Sequence, residues 1–349
     1  MMNPTLQDRI LASLCLAGMG DALGAPTEQW TIAEIEQAHG GLVMRFVEPP
    51  PDTFAGANNG RRAEVTDDAS QMYYLARALI AAQGRLDHEA WVRCLLDWAD
   101  TSPKAGFMGP STANIVAALR RGDDLARVGA IGSSLRKMTT VGNTNGAAMR
   151  VAPCGLIHPG RIEAACEQAF VTCLPSHDTD VAISAACAIA AGVAQALVKP
   201  ELGDVLSACQ EGAAIGERIA RQRARSVAGP RLSTRLNMAL DIALNATDDR
   251  RFLRDMEERV GNSVLAAESV PAAVGVLAYA KGDPLRTIAL ASSIGNDTDS
   301  IATMAGALAG AMSGMAALPQ DLLAEFRRVN DAEYDLQAMA IGLSALAGA

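Results

Sequence analysis

The sequence predicts an all-α fold, and three observations carry that prediction. Apolar residues recur at helical spacing along nearly the whole chain. Alternating β-branched runs are almost absent, and Gly41–Phe46 is the one segment that reads as a short strand. Helix start signals stand where periodic runs begin: Asp87 ahead of one, Asp283-Pro284 ahead of another, and Pro271 in a first turn.

In chain order, the spacing predicts helices over Leu6–Met19, Asp68–Ala82, Glu89–Ala99, Thr112–Arg121, Gly146–Leu156, Arg161–Cys173 and Val181–Val198. It continues over Leu202–Arg223, Arg231–Leu244, Pro271–Ala280, Leu285–Ile294, Ser300–Gly314 and Gln320–Val329. Gly18, Gly20 and Gly24 are expected to end the first helix. Pro49–Gly60 is expected to be the most flexible loop. No Pro/Ser-rich linker and no fixed-period repeat divides the chain, so residues 1–349 are expected to form one domain.

The 349 residues are 50% hydrophobic and 20% charged, enough to bury a large core and too apolar for intrinsic disorder. A net charge of −9 offers no basic face for a nucleic-acid duplex, so nucleic acid is not an expected partner. The seven cysteines, an odd count without a CxxC pair, argue against a disulfide framework or zinc ribbon and fit a reducing cytoplasm. The opening residues lack the basic and apolar regions of a secretory leader. Val181–Val198 and Ile301–Leu318 approach membrane-span length, but they are mostly Ala and Gly with aspartates beside them. Buried helices, not membrane spans, are expected there.

Five polar segments are candidates for chemistry. Thr66, Asp67 and Asp68 stand at a helix start, either as capping groups favoured by the helix dipole or as ligands. Asp297, Asp299 and Ser300 open another helix with more acceptors than one cap needs, and the two aspartates, on non-helical backbone, can point the same way. If Asp67, Asp68, Asp297 and Asp299 converge, their charge inside an apolar bundle requires cations, and two divalent ions would balance it. An all-oxygen donor set with the Thr66 and Ser300 hydroxyls selects Mg²⁺ or Mn²⁺ over zinc. The Gly18–Glu28 segment fits a dinucleotide fingerprint poorly, and Glu28 reads as an acid/base or gating carboxylate or as a solvated loop charge. The run Gly142, Asn143, Thr144, Asn145 and Gly146 leads into a predicted helix, as a phosphate-binding N-terminus or a plain turn. His177 sits at a polar helix start, either on a ribose or phosphate oxygen or within a cap.

Taken in order, these segments resemble the ADP-ribosylglycohydrolase family. The matching strings are GDALGAPTE (Gly20–Glu28), TDD (Thr66–Asp68), NGAAMRVAP (Asn145–Pro153), SH (Ser176–His177), ESVPAA (Glu268–Ala273) and GNDTDSIA with GALAGA (Gly295–Ala311). The resemblance implies an all-α fold with a two-Mg²⁺ centre held by Thr66, Asp67, Asp68, Asp297, Asp299 and Ser300. It implies Glu28, Asp67 and Asp297 as catalytic candidates, Glu28 matching the family's mobile-loop glutamate. It also implies a substrate wall of Gly109, Ser111, Gly142, Asn143, Thr144, Asn145, Gly146 and His177. The implied activity is hydrolysis of the C1″ glycosidic bond of an ADP-ribosylated protein or small conjugate. A nucleosidase, a metal-dependent phosphatase and a non-catalytic binding protein on the same fold are the alternatives. Arginine-directed members commonly carry an Asp two residues before the glycine of a DxGxTT-like segment; Phe107 stands there in this chain, and Asn296 stands where many members have Gly. The Ala/Gly-rich helices suit packing within one chain or between chains, so a homo-oligomer stays open.

Overall fold

The computed structural model describes residues 4–134 and 136–348. Among these residues there are seventeen α-helices, no β-strand and three isolated bridges. The first third holds α1 (Leu6–Gly24), α2 (Ile32–His39), α3 (Phe54–Ala57), α4 (Asp67–Ala81), α5 (His88–Thr101) and α6 (Pro110–Arg121). Then follow α7 (Ala152–Leu156), α8 (Ile162–Cys173), α9 (Asp180–Ala196), α10 (Leu202–Arg223), α11 (Leu232–Asn245) and α12 (Asp249–Asp255). The last third holds α13 (Ala266–Tyr279), α14 (Pro284–Ala291), α15 (Thr298–Ser313), α16 (Gln320–Asn330) and α17 (Leu336–Ala347).

Two interior helices organise the bundle. α9 is buried along nearly its whole length, with α8, α10 and α13 packed around it. α15 lies against α1 at backbone contact. A Cβ on Gly20 would sit 2.3 Å from the Ala302 carbonyl oxygen, and one on Gly310 would sit 2.3 Å from that of Ala12. The glycines of α1 therefore do not end the helix, which runs on to Gly24. Close packing against α15 outweighs the weak helix propensity of glycine.

Other expectations are also corrected. Gly41–Phe46 is no strand: Gly40 and Gly41 take positive φ, Val43 and Phe46 bury their side chains, and the Val43 N–H bonds the Ser293 hydroxyl rather than a sheet edge. Gly146–Leu156 is not one helix, because a 3₁₀ turn at Asn145–Ala147 precedes α7, which starts only at Ala152. Pro271 lies in the second turn of α13, which begins at Ala266. Within Pro49–Gly60, Thr53 caps α3. The pattern also missed the short or strongly apolar α2, α12 and α17.

The predicted caps Asp87 and Asp283 accept from the N–H three residues on. The two stretches near membrane-span length fall largely in α9 and α15 and are buried. Among the described residues one helix, in the run Leu6–Thr27, is long and apolar enough to cross a bilayer, and 94% of its apolar window is buried inside the fold.

Candidate active site

Two helix N-termini and the end of a third helix deliver the acidic groups. Asp67 and Asp68 open α4 behind the cap Thr66; Asp297 is the cap position of α15, and Asp299 lies in its first turn. Asp299 thus stands on helical backbone, not on the non-helical backbone expected from the sequence. From the last turns of α1, Asp21 enters fully buried. It accepts from the Thr66 N–H (3.1 and 3.0 Å), the Thr66 hydroxyl (2.8 Å) and the Ala69 N–H (3.0 Å). Thr66 is therefore set one layer back, its hydroxyl proton committed to Asp21.

Glu28 follows a 3₁₀ turn at Ala25–Thr27. Its loop is pinned to the turn before α15: the Gln29 N–H donates to the Asn296 carbonyl (2.7 Å), and the Asn296 N–H donates to that of Trp30 (2.8 Å). Asn296 has φ of 58°, a left-handed conformation that asparagine tolerates better than most residues. That explains why Asn can stand there in place of Gly.

The carboxylates form two triads that share one member. Oxygen atoms of Asp21, Asp68 and Asp299 lie within 4.8 Å of one another, as do those of Glu28, Asp297 and Asp299. Asp67 lines the same cavity and accepts from Gln71 Nε2 at 3.0 Å. Asn145 Nδ2 donates to both Asp297 and the Ser269 hydroxyl. The Ser300 N–H donates to Asp299 Oδ1 at 2.9 Å. Asp68 Oδ2 is buried without a hydrogen-bond partner.

No lysine or arginine lines this cavity among the described residues. Burial first, and neighbouring carboxylates second, push Asp21 up to about 7, Asp297 to about 8 and Glu28 to about 10. Burial and Asp299 likewise hold Asp67 and Asp68 well above the carboxylate range. An orphaned buried oxygen within an all-oxygen, acceptor-rich set fits hard divalent cations.

The cavity holds about 360 Å³. Glu28, Asp67, Asp68, Asp297, Asp299 and Ser300 make up the acidic part of its lining, here the acidic wall; Gly109, Ser111, Thr144, Asn145, Gly146 and His177 make up a second part, joined to the first where Asn145 meets Asp297. Phe54 and Phe107 also line it, as an edge-to-face pair with centroids 6.2 Å apart. The sequence-predicted substrate loop divides. Gly142 lines an adjoining groove of about 840 Å³, and Asn143 lines neither space. The Thr179 hydroxyl holds both, donating to the Gly142 carbonyl and Asn143 Oδ1. Gly146 must be glycine, since a Cβ there would meet His177 Nε2 at 2.8 Å.

Sequence reasoning missed Asp21, Gln71, Arg150, Ser269 and Phe54, the ring partner of Phe107. Asp21 had a signal, as the only charged residue between Arg9 and Glu28 in an otherwise apolar, helical run. The others become functional candidates only through tertiary contacts.

An all-helical protein that lines one cavity with five carboxylates, a sixth (Asp21) within 4.8 Å of two of them, belongs to a class whose site has the ligand chemistry of hard cations. Within that class, the chain belongs to the ADP-ribosylglycohydrolase family of hydrolases, whose family model matches residues 2–348. It is 33% identical over 338 residues to the uncharacterized protein YegU of Escherichia coli (strain K12), covering 96% of each chain. It is 27% identical over 327 residues to ADP-ribosylhydrolase ARH3 of Gallus gallus, covering 87% of this chain and 86% of that one. Its fold matches that of an ADP-ribosylglycohydrolase-related protein complex with a TM-score of 0.65 at 22% identity, over 98% of this chain and 99% of the other.

Proposed function

We propose that the protein is a divalent-cation-dependent hydrolase that cleaves the C1″ glycosidic bond of an ADP-ribosylated protein side chain or small conjugate, releasing ADP-ribose. The observation that carries this reading is the pair of carboxylate triads sharing Asp299, in one cavity lining with hydroxyl and imidazole groups. Asp68, Asp297 and Asp299, with Asp21, Thr66, Asp67 and Ser300 around them, would hold two Mg²⁺ or Mn²⁺ ions. When bound, such cations supply charge neutralisation and Lewis acidity at the reacting centre.

The chain's own groups do the rest. Glu28, fixed by its pinned loop, acts in its ionised form: it takes a proton from the attacking water as the new bond to C1″ forms, and passes that proton to the departing group as the glycosidic bond breaks. Asp297, held by Asn145, is the other candidate base. Gln71 orients Asp67. The carboxylate wall faces the positive charge that develops on the ribosyl ring in an oxocarbenium-like transition state. Ser111, Thr144 and His177 face the ribose and phosphate oxygens.

One observation favours a second reading. The Phe54–Phe107 pair offers an aromatic surface for a planar leaving group, as in a nucleosidase acting on free ribosides. A product assay with Mg²⁺ tests both, using ADP-ribosyl-arginine, ADP-ribosyl-serine, O-acetyl-ADP-ribose and plain nucleosides in parallel. Free ADP-ribose supports the first reading and identifies the linkage. Ribose released from nucleosides alone replaces it with the second, and release of phosphate alone overturns both.

A further inference from the structure

Arg150 is fully buried and pairs with no carboxylate among the described residues. Its Nη1 donates to Gln71 Oε1 (3.0 Å) and to the Gly146 carbonyl; its Nη2 donates to the Thr172 carbonyl (3.0 Å) and to Ser176 Oγ (3.4 Å). Its guanidinium carbon lies 4.8 Å from the Trp91 ring centroid. One buried cation thereby touches the residue that orients Asp67, the turn beside the cavity, and the residue before His177.

A guanidinium can only donate, so Ser176 Oγ accepts from it. The buried Ser176 hydroxyl has one further partner, His177 Nδ1 at 2.7 Å. Its single proton belongs on that bond, which makes Nδ1 the acceptor and leaves the imidazole proton on Nε2. Nε2 lies 2.9 Å from Thr144 Oγ1, so Thr144 accepts there. The Thr144 proton then goes to Ser111 Oγ at 3.3 Å. Ser111 lines both the cavity and the adjoining groove, and accepting from Thr144 leaves its own proton free to donate to a ligand. Burial, with the Arg150 charge second, keeps His177 neutral.

We infer that Arg150 is a positioning residue: through Ser176 it fixes His177 as the Nε2–H tautomer and orients the Thr144 and Ser111 hydroxyls, so that Ser111 donates into the cavity. A wall ending in a committed donor selects an oxygen that only accepts, such as a phosphoryl oxygen. The choice of ligand rests on the ADP-ribose reading above; the tautomer does not.

The experiment uses ¹⁵N-histidine-labelled full-length protein without ligand, with the His177 signal assigned by its loss in His177→Gln. Nε2–H is the expected form in the parent protein. Ser176→Ala removes the donor to Nδ1 while leaving the other three Arg150 bonds in place. The expected result is a mixed or Nδ1–H tautomer, with ADP-ribose affinity down about tenfold, the size of one lost hydrogen bond, and kcat changed less than KM. Arg150→Lys should shift the tautomer in the same direction; if it does not fold, Ser176→Ala still decides. An Nδ1–H form in the parent, or an unchanged tautomer in Ser176→Ala, overturns the inference. A shifted tautomer in a protein that binds no ADP-ribose at all upholds the relay and counts against the functional reading instead.

Discussion

The two walls of the cavity are built on opposite principles. On the acidic wall, acceptors outnumber donors, one oxygen is orphaned, and each carboxylate raises its neighbour's affinity for protons. On the second wall, Thr144, His177 and Ser176 are each matched, down to a buried arginine. The first wall holds an excess of buried acceptors; the second is internally hydrogen-bonded before anything binds, with the Ser111 donor left over. The difference separates what must be supplied from what is preorganised.

The largest way to break this contrast is to remove the shared acid. Asp299→Ala is expected to abolish high-affinity Mn²⁺ binding in a titration and lower turnover by about a thousandfold or more. Undiminished turnover in that variant would sink the cation-centre reading.

Next comes removal of the cations, with a defined pH signature. The carboxyl groups have folded pKa values raised above their unfolded values, so each binds a proton more tightly when the protein is folded. Their favourable share of stability is complete below about pH 4 and is lost as pH rises through about 7 (Asp21), about 8 (Asp297) and about 10 (Glu28). Chelator-treated protein should therefore gain more in Tm from added Mg²⁺ at pH 8 than at pH 5. Equal gains at the two pH values would show that the acids are not what the cation balances.

A smaller effect tests the rigid wall. Gly146→Ala places a methyl against His177 Nε2 and should weaken ADP-ribose binding by about tenfold while Mn²⁺ affinity stays unchanged, read by calorimetry for both ligands. Parallel losses of both ligands would mean that the walls are not independent. The smallest change is Phe107→Ala. By removing one partner of the Phe54 pair, it should cost about fivefold in kcat/KM on a substrate with an aromatic leaving group and little on one without.

The acidic wall was largely legible in the sequence, because adjacent acids at an apolar helix start exceed what a cap requires. Thr66–Asp68 and Asp297–Ser300 announce themselves locally. Asp21 was less visible, since its helix was read as ending at Met19, before Gly20 and Gly24. Propensity argues for a stop at these glycines, and contact of Gly20 and Gly24 with α15 reverses it, while Gly18 packs on Tyr73 and Phe326. The second wall was legible as a set of loops but not as a device. Gly142 and Asn143 carry the same turn chemistry as Thr144 and Asn145, yet Thr179 draws the first pair away from the cavity. Arg150 looked like an ordinary basic residue beside an apolar run. Its role depends on Gln71, Thr172 and Ser176, which no local pattern links to it.

The glycine contact between α1 and α15 also sets an order of events. It joins the beginning of the sequence to a segment nearly three hundred residues later, and half of the acidic wall arrives with that later segment. On a ribosome, α1, Asp21, Asp67 and Asp68 emerge early and must wait, their aspartates hydrated and the side of α1 that carries Ala12, Leu16 and Gly20 uncovered, until Ala302, Gly306 and Gly310 have been made. Under the proposed cation reading, capture by both triads would be a late step in the protein's biogenesis, and a chain interrupted before Asp297 would have no means of completing it.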